Sequence, residues 1–292
     1  MSHFQPGILL PVPAHARHLT FVLRPGRDPR AALRALCGVA DGRNTVAGIG
    51  QSLVQALGGS IDGLRGFPQF SGAGIDVPST PSALWIWARG KDRGELLHRS
   101  RTIERTLERA FQAERIIDAF RYDVGRDLTG YEDGTENPKG AKARAAALVN
   151  SGSGLAGSSF VAVQQWVHRF DRFEAMTRSQ RDNAIGRRRA DNVELARAPR
   201  SAHVKRTAQE SFAPEAFVVR RSMPWMEATA AGLMFVAFGA TLDSFEAQLR
   251  RMLGFDDGVV DALFKFTRPV SGAYFWCPPM RRGRLDLRAI GL

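Results

Sequence analysis

The sequence has few cysteines, no long apolar run and no low-complexity segment, and each absence argues against a class of protein. Cys37 and Cys277 are its only cysteines and form no CxxC pair, which argues against a disulfide framework or a zinc knuckle. The longest apolar stretch, residues 228–242, contains two glycines and is shorter than the ~20 residues of a membrane-spanning helix. Residues 1–7 have no basic segment followed by an apolar one, so we expect no signal peptide. A cytoplasmic protein without membrane association is predicted.

Acidic residues are in the minority, with 29 Asp and Glu against 41 Lys and Arg, a formal net charge of +12. Such a charge permits anionic partners, including nucleic acid. The surplus is mostly arginine dispersed along the chain rather than gathered in a basic tail, so we expect no nucleic-acid partner. With 44% hydrophobic and 24% charged residues among 292, the composition is globular, and the length allows two modest domains.

Hydrophobic periodicity predicts alternating strands and helices. The expected helices cover residues 28–40, a segment with Leu96, Ile103, Leu107 and Phe111 on one face, and residues 243–253. The expected strands cover residues 19–23, 83–88, 120–124, 160–168, 217–220 and 233–238. This order predicts an α+β fold with antiparallel sheets backed by helices, in two similar halves. A glycine-rich stretch at 152–159 places the boundary near residue 150.

A glycine-rich acidic segment, GYEDGTENP, occupies residues 130–138. Its Asp-Gly and Asn-Pro pairs are typical of a solvated turn. A calcium loop is a second interpretation, but the alternating Asp/Asn ligands and distal Glu of an EF-hand are missing. A third is a functional loop, in which the glycines let the backbone pass close to a flat ligand and hold one carboxylate over it.

Two further segments offer a histidine and arginines. His203 lies in AHVKRT, and it is either an ordinary surface or core residue or an axial ligand of heme iron, which no CxxCH motif would attach covalently. Arg220 ends the apolar strand FVVR, and it either reaches solvent or points inward to an anion or a buried carboxylate. The run at residues 187–189 could bind phosphates, hold the carboxylates of a cofactor, or be solvated.

Taken together and in this order, these segments resemble the dye-decolorizing peroxidase family, in particular its cytoplasmic, YfeX-like branch. The Gly-x-x-Asp-Gly loop, the histidine of AHVKRT and the strand VVRRSMPW match the family's motifs, and residues 77–96 and 269–279 support the likeness. Key positions lie at Asp133, His203 and Arg220. The resemblance covers nearly the whole chain.

The resemblance implies two ferredoxin-like halves, each an antiparallel sheet with packed helices, in a dimeric α+β barrel-like arrangement. Residues 1–150 would form the half that carries the Gly-x-x-Asp-Gly loop, and residues 151–292 the half that binds heme b non-covalently. The implied activity is reduction of hydrogen peroxide and oxidation of organic reductants (dyes, phenols or porphyrinogens) through an oxo-iron intermediate. A homo-oligomer, a dimer or larger, is also implied.

The resemblance also implies roles for individual residues. His203 would bind the iron, while Asp133 would move the peroxide proton and Arg220 would stabilise the departing anion. The remaining implied residues are Ser222 as a secondary hydrogen-bonding group, Gly134 and Thr135 as cofactor contacts, and Arg187 as the propionate contact, with Arg188 and Arg189 as alternatives.

One departure concerns the acid that, in many relatives, hydrogen-bonds the iron-binding histidine. Rough matching puts Lys265 at this position, with three candidate acids before it, Asp256, Asp257 and Asp261. Aromatic residues that could relay electrons are Trp85, Trp87, Trp166, Trp225, Trp276, Tyr122, Tyr131 and Tyr274. An alternative function is handling of heme or porphyrin, such as the proposed removal of iron by a deferrochelatase.

Overall fold

A computed structural model describes residues 3–292, in which helices and strands alternate along both halves of the chain. In the first half the elements are β1 (His15–Leu23), α1 (Arg30–Val39), β2 (Thr45–Ile49), α2 (Gln51–Ala56), β3 (Phe70–Gly72), β4 (Ile75–Val77), β5 (Leu84–Gly90), α3 (Arg93–Leu107) and β6 (Phe111–Phe120). In the second they are α4 (Gly140–Ala147), β7 (Ser159–His168), α5 (Phe170–Ala175), α6 (Arg178–Ile185), α7 (His203–Arg206), β8 (Val219–Arg220), β9 (Met223–Glu227), β10 (Ala230–Gly239), α8 (Asp243–Met252), β11 (Thr267–Pro269), β12 (Ala273–Cys277), β13 (Met280–Arg281) and β14 (Arg284–Leu285).

Most predicted elements are confirmed, and three differ. The periodicity of α3 was expected to include Phe111, but the helix ends at Leu107 and Phe111 begins β6. The prediction of a strand at residues 120–124 is wrong, because β6 ends at Phe120 and the chain then turns. The strand expected at 217–220 is reduced to Val219–Arg220. Phe111 is buried in the strand, so an apolar residue in phase with the helix does not show where the helix stops.

The main sheet closes into an antiparallel barrel. Its neighbouring strands run in the order β7-β12-β2-β5-β1-β6-β9-β10, and β10 pairs with β7 to complete the ring. Within each half the strands have the same order: β2-β5-β1-β6 in the first and β9-β10-β7-β12 in the second. This repeat confirms the two ferredoxin-like halves, which meet through the pairs Trp276↔Ile49 and Ala119↔Trp225. The domain boundary at residue 150 stays a prediction, in the stretch between β6 and β7.

Side chains alternate between the inside and the outside of the barrel, as the period of a strand requires. In β7, Val161 and Val163 pack with Trp85 and Phe275 in the interior core. Phe160 and Ala162 of the same strand belong to the outer core, which α1, α3 and α8 cover. Among residues 3–292, none of the helices is both long and apolar enough to cross a membrane.

Candidate active site

A large cavity lies on the outer face of the second half, between the sheet and the helices that cover it. About 910 Å³ of space, partly open to solvent, lies between its walls, and clefts of this kind bind small molecules and cofactors. The sheet side is formed by outward-facing residues of β7 and β10, and the opposite side by residues of α7 and α8. The residues that line it include Asp127, Tyr131, Asp133, Trp166, His168, His203, Arg220, Leu233 and Phe235.

His203 is held at the cavity by a buried carboxylate. It is the first residue of the short helix α7, and its Nδ1 lies 2.7 Å from Oδ2 of Asp261. Asp261 has a fully buried side chain, and its other oxygen accepts a hydrogen bond from the backbone N–H of Leu263 at 2.8 Å. The contact engages Nδ1 and leaves Nε2 as the nitrogen available to a metal, the arrangement that orients metal-binding histidines in proteins.

The structure thus distinguishes among the three candidate acids. Asp257 is bonded to the buried guanidinium of Arg206, and the hydrogen bonds that it accepts there hold its pKa well below its usual value. Asp256 lies 3.5 Å from Arg251. Lys265, the residue matched to this position from the sequence, is at the end of the short helix that Asp261 begins. The partner of His203 is therefore Asp261.

Asp133 and Arg220 enter the same cavity. Nη2 of Arg220 lies 3.8 Å from Oδ1 of Asp133, and both side chains are largely buried. Oδ1 of Asp133 also accepts a hydrogen bond from the backbone N–H of Gly134. Both side chains also line a second cavity, whose other walls include residues of the loop after β6. The pair therefore joins the main cavity to a second pocket.

Asn137 fixes the loop to the strand that carries Arg220. Its side chain accepts a hydrogen bond from the backbone N–H of Arg220 at 2.7 Å and donates one to the carbonyl of the same residue at 3.1 Å. Gly134 has φ +74°, and a Cβ there would lie 2.8 Å from Nδ2 of Asn137. The position therefore requires glycine both for its backbone conformation and for space.

Several predicted site residues lie outside the main cavity. Gly134 and Ser222 line the second cavity, and Oγ of Ser222 accepts a hydrogen bond from the N–H of Val236. Thr135 accepts one from Asn192. Nη2 of Arg187 is bonded to carboxylates, at 2.5 Å from Glu136 and 3.3 Å from Glu194. The roles expected for these four residues stay predictions.

A buried pair that the sequence reasoning missed lines the cavity wall. His168, at the end of β7, contacts Asp127 through Nε2 at 2.9 Å and Thr267 through Nδ1 at 2.8 Å. Asp127 also accepts hydrogen bonds from the N–H and hydroxyl of Thr129. Burial alone would raise the pKa of Asp127, but the hydrogen bonds from His168 and Thr129 outweigh it and lower the pKa. The pair ties the loop to the sheet, and its only sequence signal was the outward phase of His168 on β7.

Two of the aromatic residues considered as relays, Tyr131 and Trp166, line the cavity. The hydroxyl of Tyr131 donates a hydrogen bond to Asp182 at 2.5 Å. Burial, followed by this hydrogen bond, raises the pKa of Tyr131 above its usual value. Trp85, Trp87, Trp225, Trp276 and Tyr274 are instead buried parts of the core, and the relay role stays a prediction for every one of them.

Comparisons with known sequences point to one family. The model of the family described as Dyp-type peroxidase, C-terminal, matches residues 124–282. A dye-decolorizing peroxidase of Mycolicibacterium paratuberculosis is 30% identical over 222 residues, 74% of this chain and 63% of that protein. One of Rhodococcus erythropolis is 28% identical over 82% of this chain and 73% of that protein. The first of these alignments spans less than two thirds of its relative.

Solved structures agree over a longer span. A dye-decolorizing protein from V. cholerae has a TM-score of 0.85 and 29% identity, covering 93% of this chain and 96% of that one. A variant of DypB from Rhodococcus jostii, solved in complex with heme, has a TM-score of 0.83 and 25% identity, covering 93% and 95%. The family model matches more than half of the chain, and both kinds of comparison agree with it. The chain belongs to the Dyp-type peroxidase family.

Proposed function

We propose that this protein is a heme b peroxidase that reduces hydrogen peroxide and oxidises organic molecules. The observation that carries the proposal is that one cavity contains both a carboxylate-supported imidazole, His203, and an acid and guanidinium pair, Asp133 and Arg220. Family membership and the heme in a related structure support it.

The residues present fit a non-covalently held heme. Nδ1 of His203 is engaged by Asp261, so Nε2 can bind iron as a neutral imidazole. The cavity is large and contains apolar side chains such as Leu233, Phe235 and Leu249, which suit a flat macrocycle. Bound there, heme would supply the redox-active iron at which peroxide is reduced and from which oxidising equivalents pass to the reductant.

The chain's own residues would move the proton and stabilise the charge. Asp133, which lies beside Arg220, can accept a proton from one peroxide oxygen and return it to the other. The guanidinium of Arg220 can stabilise the negative charge that develops on the departing oxygen. Asn137 holds the backbone of Arg220 in place on one side of this pair.

Replacement of the acid and the guanidinium tests the proposal. We expect Asp133→Ala and Arg220→Ala, in heme-loaded protein, each to slow the peroxide reaction by at least about tenfold, as loss of a positioned catalytic group does. Asp171→Ala and Arg172→Ala, at exposed positions of α5, are matched controls. Stopped-flow absorbance would measure the rates. If both cavity variants react as fast as the controls, the assignment of the pair is wrong.

The binding of heme is tested separately. We expect purified protein to show a Soret band that His203→Ala loses. Salt-dependent binding of DNA or RNA by a protein without such a band would instead indicate a nucleic-acid-binding function. Metal-free porphyrin formed from heme without oxygen or peroxide would favour a deferrochelatase. The same proposal includes four further points: dyes and phenols as reductants, membership of the YfeX-like branch, a cytoplasmic location and a homo-oligomeric state.

A further inference from the structure

The interior of the barrel contains polar side chains whose hydrogen-bonding atoms have no partner among residues 3–292. Both ring nitrogens of His18 and Nε1 of Trp85 and Trp87 are buried and unpaired. Burying such groups without a hydrogen bond costs free energy, and native proteins satisfy nearly all of them with protein, water or ligand. Three unpaired side chains close together therefore indicate that water or a ligand inside the barrel completes their hydrogen bonds.

His18 lies on the inward face of β1 beside two aromatic rings. In the sheet it is opposite Trp87 on β5 and Ile117 on β6. Its ring stacks on those of Trp85 and Trp87, with centroids 5.9 and 6.1 Å apart. The imidazole is thus held in a fixed place by flat apolar neighbours and contacts no charged partner.

A narrow cleft reaches His18 from one end of the barrel, and it contains about 480 Å³ of space that is partly open to solvent. We call it the barrel well. Its walls are apolar and include Trp85, Phe275, Val163, Met234 and Ile117. Its rim is polar and includes Thr20, Ser82, Glu114, Arg115 and Ser271.

The opposite end of the barrel is covered by the N-terminal segment. The guanidinium of Arg89 donates to the carbonyl of Pro11, and that of Arg221 donates to the carbonyls of Ile8 and Leu9. Ile8 packs into the interior core. A ligand would therefore enter the barrel well from the rim.

The barrel well is separate from the cavity lined by His203, Asp133 and Arg220, which we call the heme cavity. Val163 and Met234 face the well, whereas their chain neighbours Gln164 and Leu233 line the heme cavity on the other side of the sheet. A ligand in the well would not need heme or the peroxide reaction. Its binding can accordingly be tested independently of the proposed function.

The lining selects the chemistry of the ligand. Burial lowers the pKa of His18 to about 3, against a smaller opposing effect of Asp118, so at neutral pH the ring has one donor and one acceptor nitrogen. At the rim, Glu114 and Arg115 carry opposite charges and have partners in Ser82 and Gln165. The rim therefore has no net charge that would attract an ionic ligand, and the aromatic walls favour a flat apolar molecule.

We propose that the barrel well binds a small uncharged phenol, with its ring between the apolar walls and its hydroxyl hydrogen-bonded to His18. The hydroxyl satisfies one ring nitrogen, and the aromatic ring replaces water against Trp85 and Phe275. A matched molecule without the hydroxyl would leave His18 unpaired and bind more weakly.

The experiment compares 4-methylphenol with toluene, which lacks only the hydroxyl, by calorimetric titration of the heme-loaded protein. We expect 4-methylphenol to bind the wild type about 2- to 13-fold more tightly, since a net hydrogen bond is worth about 0.5–1.5 kcal/mol. In His18→Leu the two molecules should bind with similar affinity, and His18→Gln should restore part of the difference. His98→Leu, at an exposed position of α3, is the matched control.

The ratio of the two affinities is informative even if a variant is less stable, because both molecules bind the same folded protein. A ratio near one in the wild type, or an undiminished ratio in His18→Leu, would overturn the proposal. So would a crystal soaked with 4-methylphenol in which the well contains ordered water only. Normal peroxide turnover together with any of these results would reject the barrel-well proposal and leave the proposed function standing.

Discussion

Asp261 is the residue whose replacement most directly tests how the imidazole is prepared for iron. Its carboxylate accepts two hydrogen bonds, from Nδ1 of His203 at 2.7 Å and from the N–H of Leu263 at 2.8 Å. An asparagine has nearly the same shape but only one acceptor oxygen. In Asp261→Asn one of the two contacts must therefore become unfavourable, whichever way the amide faces.

The two orientations have different consequences. If the amide nitrogen faces His203, it donates to Nδ1 and moves the ring proton to Nε2, the nitrogen that would bind iron. If it faces Leu263, two N–H donors oppose each other and a buried donor is left unpaired, which costs about 1–3 kcal/mol. The first outcome protonates the iron-binding nitrogen, and the second replaces a carboxylate with a neutral acceptor that leaves the imidazole less basic, so heme binding weakens in both cases. Loss of such a partner typically costs 10–100-fold in metal affinity, about 1.4–2.7 kcal/mol.

The assay is transfer of heme from the holoprotein to excess apomyoglobin, followed by the change in the Soret spectrum. We expect heme to leave Asp261→Asn about 10–100-fold faster than the wild type, and the iron reduction potential to rise because the imidazole becomes less basic. Asp256→Asn removes the same charge from an exposed position nearby and should behave as the wild type. Equal rates of heme loss for the two variants would refute this account of Asp261.

Two further predictions concern the loop that carries Asp133. Gly134→Ala should lower the free energy of unfolding by about 1 kcal/mol or more. It should also slow the peroxide reaction, because the added Cβ would displace Asn137 from Arg220. Thermal unfolding would measure the first effect and stopped-flow absorbance the second, and a variant that matches the wild type in both would contradict the prediction. Asp127→Asn should lower the free energy of unfolding at pH 5 by about 1.5–3 kcal/mol, since a charge-assisted bond to His168 is weakened. Because the pKa of Asp127 is lowered by folding, this difference is present above the unfolded pKa of about 3.9 and should vanish as pH falls through the folded pKa. Urea unfolding at several pH values would measure it, and a pH-independent difference would oppose the reasoning.

The fold was largely predictable because its signals are local. Strands β1, β5, β7 and β10 and helices α1 and α8 follow from periodicity within single segments. The error at β6 has a local cause as well: Phe111 continues the apolar phase of α3, although the helix has already ended at Leu107. The closure of the barrel depends on the pairing of β7 with β10 and on single residue pairs between the halves, which no local pattern records.

The site residues that lie in sequence motifs were predictable, whereas those identified only by a contact in the folded protein were not. Asp133, His203 and Arg220 lie in motifs, and all three line one cavity. Asp261 stood among three acids of one short stretch, and only burial and distance distinguish it. His168 has no motif at all, since its partner Asp127 is 41 residues away along the chain.

The loop between β6 and α4 shows why the two halves act as a unit. It follows the last strand of the first half, yet the contacts that fix it come from the second half: Asp127 to His168 and Asn137 to Arg220. Glu132 also accepts a hydrogen bond from Asn192 at 3.0 Å. The position of the acid relative to His203 is thus set by contacts with residues that follow it in sequence. Because catalytic carboxylates act only within hydrogen-bond reach of the proton they transfer, weakening these distant contacts should reduce the peroxide reaction while His203 still holds heme.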